Sequence, residues 1–182
     1  MVSGENAWIA GGLTIARAAL RAVEEDAITC YGRDEEACGY LRGPSGDALV
    51  CDEAVRLQNL ANKLHALDPE RYFRTGRTYF EFDTRRFAKA VDASITEERP
   101  VKVLYHSHLD AGAYFSPTDR AAMSMGEPPA AEGGEIVLGP GPAWPLAFLV
   151  VSVRAGKIDE HRLFVWDAAA RDFAASSFTV SD

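Results

Sequence analysis

The 182 residues include 47% hydrophobic and 25% charged side chains, which excludes a disordered chain and supplies the core of one domain, taken here as residues 1–182 with its body over about 12–180. A formal net charge of −8 argues against nucleic acid or an anionic membrane surface as the main partner. Cys30, Cys38 and Cys51 are an odd set without C-x-x-C spacing, so a disulfide framework and a cysteine zinc site are excluded and a reducing compartment is implied. No basic segment followed by an apolar one opens the chain, and no apolar run reaches membrane-spanning length. A cytoplasmic protein with no membrane partner is expected.

Apolar residues at Leu13, Ile15, Ala16, Ala19, Leu20 and Val23 predict a helix from Leu13 to about Thr29, ended by Tyr31-Gly32. Cys38–Leu41 reads as a short strand, Pro44–Asp47 as a hairpin turn and Ala48–Leu57 as a second strand. Residues 59–75 read as irregular, with one short helix around Pro69–Tyr72. Tyr79–Phe82 alternates like a strand, and Asp83 caps a helix from about Thr84 to Ser94. Val101–Tyr105 is a buried strand and Pro117–Met125 a helix. Residues 127–144, rich in Gly, Pro, Ala and Glu, read as a flexible insertion loop of the kind that either grips substrate or is a tolerated insertion. Leu146–Val153 is a central strand, Glu160–Trp166 its antiparallel return and Phe173–Val180 a last strand. This order predicts an α+β domain, a mostly antiparallel mixed sheet flanked by helices.

The chemistry concentrates after Tyr105, in His106-Ser107-His108 and then Ser116-Pro117-Thr118-Asp119. On a strand, i and i+2 point the same way, so both imidazoles can meet at one point. If Ser116 caps the following helix, Pro117 stands at its first position and Asp119 on its first turn, able to face back toward the strand. Two imidazoles and a carboxylate are three zinc ligands, and a three-ligand zinc with an open fourth position belongs to a hydrolase rather than to a structural finger. Ser-x-x-Asp is also a capping box, and the two readings are compatible. A hydrolase needs a proton carrier as well. Glu36 precedes the first predicted strand, yet it also ends an ordinary acidic run, Asp34-Glu35-Glu36, and spacing alone does not select it.

The combination Glu36-Ala37-Cys38-Gly39-Tyr40-Leu41-x-Gly43, His106-x-His108 and Ser116-x-x-Asp119 resembles the JAMM (MPN, JAB-type) zinc metallopeptidase family over roughly residues 12–165. Asn59 and Phe80-Glu81-Phe82-Asp83 resemble its bacterial branch. The resemblance implies a three-layer, cytidine-deaminase-like α+β fold with one Zn2+ held by His106, His108 and Asp119. It implies that Glu36 holds the attacking water, takes its proton and delivers it to the leaving amine, and that Ser116 hydrogen-bonds the oxyanion. Cys38 and Gly39 are then structural, Cys38 facing the core and Gly39 allowing close packing.

The substrate so implied is the bond after the C-terminal glycine of a ubiquitin-like or sulfur-carrier protein ending in Gly-Gly, in a pathway that can include an E1-like enzyme. The leaving group would be an amino acid, a peptide or an isopeptide-linked protein. An extended tail is expected to add as a strand near Tyr105 and the 127–144 loop. Two other readings remain. His106-Ser-His108-Leu-Asp110-Ala111 nearly spells the H-x-H-x-D-H of a metallo-β-lactamase-type hydrolase, but Ala111 replaces the last histidine and only His161 follows. A non-catalytic MPN interaction module would lack a ligand or Glu36, and none is missing.

Overall fold

The computed structural model describes residues 4–131 and 133–182. A 3-10 helix, Gly4–Ala10, leads into β1 (Leu13–Ala16), α1 (Arg17–Tyr31), β2 (Cys38–Arg42), β3 (Val50–Cys51) and β4 (Glu53–Leu57). Then come α2 (Ala61–Leu67), α3 (Thr84–Thr96), β5 (Val101–Leu109), α4 (Pro117–Met123), β6 (Ala147–Arg154), β7 (Lys157–Asp167), β8 (Asp172–Ser176) and β9 (Phe178–Ser181). Six strands form a sheet ordered β4-β2-β5-β6-β7-β8, antiparallel except where β5 pairs with β6. The expected mixed, mostly antiparallel sheet is thus present. No helix among the described residues is long and apolar enough to cross a membrane.

Alternation along the central strands divides the core between the two faces of this sheet. Val103, Tyr105, Leu149 and Val151 pack with Ala19, Leu20, Val23, Ala27 and Cys30, the apolar stripe of α1. Leu104, Phe148 and Val150 face the other way, against Phe80, Phe82, Phe87, Phe115 and Met123. The strand β5 is buried at all of its positions, as expected of a parallel-paired strand covered on both faces. His106 and His108 fall on the Leu104 face, opposite α1. They lie inside the strand rather than beyond its end, because β5 runs four residues further than its apolar run suggests.

Several elements differ from expectation because partners distant in sequence claim them. Leu13–Ala16 is a strand, not the first turn of the helix: it pairs in parallel with β3 and with β9, some 165 residues away, in a separate three-stranded sheet. The expected strand Ala48–Leu57 breaks at Asp52, with Val50–Cys51 joining β1 and Glu53–Leu57 joining β2. The last expected strand divides at Ser177 in the same way, β8 staying on the large sheet and β9 leaving for the small one. The short helix lies at Ala61–Leu67 rather than around residues 69–72.

Tyr79–Phe82 is extended but pairs with no strand. Its backbone is satisfied by Asn59 and Leu60: the Asn59 amide donates to Tyr79 O at 3.1 Å and accepts from Glu81 N at 3.2 Å, and Leu60 N donates to Glu81 O at 2.7 Å. Asp83 caps α3 as expected, accepting from Arg86 N at 2.9 Å.

Gly39, the second residue of β2, lies against Tyr105 and β4. A Cβ there would stand 2.4 Å from the Tyr105 hydroxyl and 2.4 Å from the Val55 carbonyl oxygen. Gly39→Ala should therefore cost about 1–3 kcal/mol of stability through overpacking. Denaturant unfolding checks this, and an unchanged midpoint would show that the strand yields without cost.

Candidate metal centre

The metal-ligand candidates converge as strand alternation and helix capping require. Ser116 caps α4, Pro117 stands at the first helical position, and a capping box forms. Asp119 N donates to Ser116 Oγ at 3.1 Å, and Ser116 N donates to Asp119 Oδ2 at 2.8 Å. That second bond turns the Asp119 carboxylate back toward β5. Asp119 Oδ2 lies 3.3 Å from His106 Nε2 and 3.5 Å from His108 Nε2, and the two nitrogens are 3.2 Å apart. All three residues are at least 94% buried.

This near-equilateral triangle fits a metal. A tetrahedral zinc with bonds of about 2.0–2.1 Å holds its ligands roughly 3.3–3.4 Å apart. The supporting contacts fit as well. His108 Nδ1 is 2.9 Å from Gly112 O, so that nitrogen carries the proton and donates it, leaving the Nε2 lone pair directed at the triangle. Phe80 stacks on the His106 ring, with centroids 4.5 Å apart, and Tyr114 sets its edge against His108 at 5.0 Å. Burial lowers the His106 pKa against the pull of Asp119, which keeps the ring neutral as a ligand must be. Burial alone would raise the Asp119 carboxyl, but the two histidines outweigh it and hold it far below the usual carboxylate range.

Glu36 approaches from just before the neighbouring strand, β2. Cys38 pairs with His106, and Ser107 N donates to Ala37 O at 3.0 Å, so the register sets Glu36 opposite His108 on the same sheet face. The strand start is fastened there: Ala37 N donates to Ser107 Oγ at 2.8 Å, Glu36 N to Gly76 O at 2.6 Å, and Asn59 Nδ2 to Glu36 O at 2.9 Å. Burial, with the Asp119 charge adding to it, raises the Glu36 carboxyl well above its ordinary value. A carboxyl whose affinity for a proton is raised in this way is suited to take one up and pass it on. The Ser116 hydroxyl accepts from Asp119 N, its own proton is free to donate, and the residue lines an open cleft of about 580 Å³.

The sequence matches prokaryotic homologs of the JAB domain over residues 16–167. This chain belongs to the prokaryotic JAB family. Among solved structures, protein DSY2949 from Desulfitobacterium hafniense is similar in fold, with TM-score 0.54 and 17% identity over 93% of each chain. The JAB1/MPN domain protein AF2198 from Archaeoglobus fulgidus aligns with TM-score 0.50 and 15% identity, over 94% of this chain and 99% of that one. No curated protein matches the sequence. This prokaryotic JAB domain thus has the expected JAB/MPN fold and a buried His106-His108-Asp119 group that could hold a metal ion.

The other candidate residues separate from this centre. Asp110, the nearer carboxylate in sequence, lies at the surface. It accepts from Tyr31 Oη at 3.0 Å, Arg77 Nη2 at 3.1 Å and Ala155 N at 3.1 Å. His161 pairs with Val151 on the α1 face and sits 2.9 Å from Glu24, on the opposite side of the sheet from the metal triangle. His106, His108 and Asp119 form the one metal-ligating cluster among the described residues, which leaves a binuclear β-lactamase-type site without ligands. Phe80 belongs to a motif of the resemblance, but its stacking on His106 has no sequence signal, and neither has the Gly112 acceptor, because each contact depends on how a loop folds back onto β5.

Proposed function

We propose that this JAB domain is a zinc-dependent (iso)peptidase that hydrolyses the bond after the C-terminal glycine of a ubiquitin-like or sulfur-carrier protein. The observation that carries the reading is the pairing of a zinc-sized His106-His108-Asp119 triangle with the buried carboxyl of Glu36, just before the adjacent strand, whose affinity for a proton burial raises. Neutral imidazoles and one carboxylate are a donor set suited to zinc. Zinc bound there supplies Lewis acidity and lowers the pKa of water toward neutrality.

The protein's own groups do the rest. Glu36 takes a proton from the attacking water as its oxygen bonds to the scissile carbonyl carbon, then gives that proton to the amine nitrogen as the C–N bond breaks. The Ser116 hydroxyl donates to the developing oxyanion, a contribution of about 2.7–4 kcal/mol where such donors have been removed from other enzymes. A non-catalytic module would lack one of these groups, and all five are present.

A flexible tail ending in Gly-Gly suits the cleft beside Ser116, which is walled by Thr75 and Thr78 on one side and by Pro129, Gly133 and Gly134 on the other. Strand addition at Tyr105 does not occur in this fold, because β5 is paired there on both sides, with Gly39 and with Leu149. The tail would lie in the cleft instead. The insertion loop is fastened at its neck, where Gly139 N donates to Ser124 Oγ at 2.8 Å and Glu127 bridges Val137. Trp144 packs on Phe87. Replacing only residues 128–136 with a short glycine link should therefore raise KM for a protein substrate, with zinc content unchanged. Unchanged cleavage kinetics would remove the loop from recognition.

Chelation tests the proposal as a whole. Metal-stripped protein should not hydrolyse a ubiquitin-fold substrate extended past Gly-Gly, and adding zinc should restore hydrolysis. Activity that persists after stripping would overturn it.

A further inference from the structure

Arg74 stands in the wall of the cleft that Ser116 lines. Its guanidinium lies 4.2 Å from the Phe73 ring centroid and 5.5 Å from that of Tyr79. One of its N–H groups, on Nη2, donates to Pro129 O at 2.7 Å and so anchors the head group to the insertion loop. A guanidinium has five N–H donors. Among the described residues no carboxylate pairs with this one, and none of those that line the cleft is acidic. This is unusual surface for a chain of net charge −8. Among the described residues nine of the fourteen other arginines, Arg42, Arg77, Arg99 and Arg120 among them, pair with an aspartate or glutamate.

The arrangement is that of a preorganised anion reader. The aromatic rings flank the guanidinium and the bond to the loop carbonyl holds it, in the wall of a cleft also lined by Thr75, Thr78 and Thr118. Partial burial disfavours the cation and lowers its pKa, a cost that an incoming anion would offset. Planar carboxylate is an anion that a guanidinium binds through two parallel hydrogen bonds.

We propose that Arg74 is a specificity-determining residue that binds a carboxylate on the residue following the scissile bond, so that the preferred leaving group is a free amino acid or an acidic residue rather than a lysine side chain of a folded protein. This rests on the hydrolytic reading of the site for its meaning, but binding tests it without turnover.

The probes are N-acetyl-Gly-Gly-Ala as the free acid, the same peptide as the carboxamide, and N-acetyl-Gly-Gly-Glu carboxamide. They are titrated by calorimetry into zinc-loaded Glu36→Gln protein, with and without Arg74→Gln. The free acid, the glutamate peptide or both should bind about 10- to 100-fold more tightly than the alanine carboxamide, as expected for hydrogen bonds to a charged group. The tighter of the two names the source of the carboxylate. Adding Arg74→Gln should bring the carboxylate peptides down to the affinity of the alanine carboxamide, and Arg74→Lys should recover part of the preference. Equal affinities in the arginine protein, or no saturation by any peptide up to about 10 mM, would overturn the proposal. A preference that survives Arg74→Gln would assign the carboxylate to the metal instead. An equal loss for all three peptides would reduce Arg74 to a support for the loop. If the peptides behave as proposed but no Gly-Gly substrate is ever cleaved, the hydrolytic reading fails while the carboxylate site stands.

Discussion

Glu36→Gln is expected to keep about one zinc per chain while hydrolysis falls by about 10²–10⁴-fold, the usual contribution of a positioned acid–base group. Glutamine preserves the size of the side chain and leaves His106, His108 and Asp119 in place, so metal content separates the proton role from the ligand role. Loss of the zinc, or retained activity, would remove Glu36 from proton transfer. The substitution carries a second signature in metal-free protein. The folded-state pKa of Glu36 is raised by burial above the unfolded value of about 4.3. Below that value the carboxyl is protonated in both states and costs nothing. As pH rises through it toward the folded pKa, only the unfolded chain gains from ionising, and the folded state loses stability. Glutamine escapes this loss. The variant should unfold with the wild type near pH 4 and at higher temperature than the wild type near pH 7, and identical pH profiles would contradict the burial of this carboxyl.

Asp119→Ala should remove most of the zinc. Loss of a hydrogen bond that merely supports a ligand costs about 10–100-fold in metal affinity at such sites, and Asp119 would be a ligand itself. Its loss leaves two imidazoles and also strips Ser116 N of its acceptor at 2.8 Å. Zinc affinity measured by competition with a chelator reads the effect. A fully metallated variant would move the third ligand elsewhere. Asp110 is a poor replacement, because Tyr31, Arg77 and Ala155 already hold its carboxylate at the surface.

The site was more legible in the sequence than the topology around it. His106, His108, Ser116 and Asp119 obey local rules, strand alternation and helix capping, that do not depend on what the rest of the chain does. Glu36 was different. Nothing near it in sequence distinguishes it from Asp34 and Glu35, and its place beside the triangle follows from a strand register with residues 70 positions away. Leu13–Ala16 carries spacing compatible with the helix that follows it, and only its pairing with Val50–Cys51 and Phe178–Ser181 makes it a strand. Tyr79–Phe82 has a strand's alternation because Phe80 and Phe82 both pack onto the sheet face, yet an asparagine side chain replaces the partner strand. No motif in the sequence marks Arg74. Its place in the cleft depends on how residues 73–78 and the insertion loop meet, which no local pattern records.

The most direct measurement is the intact mass of a panel of ubiquitin-fold proteins, each extended past a Gly-Gly end, after incubation with the zinc-loaded protein. At least one member should shorten to the mass ending at Gly-Gly, and the same member should stay intact with Glu36→Gln. A protein that holds about one zinc per chain and leaves every member at full length, or cuts at another bond, would contradict the account.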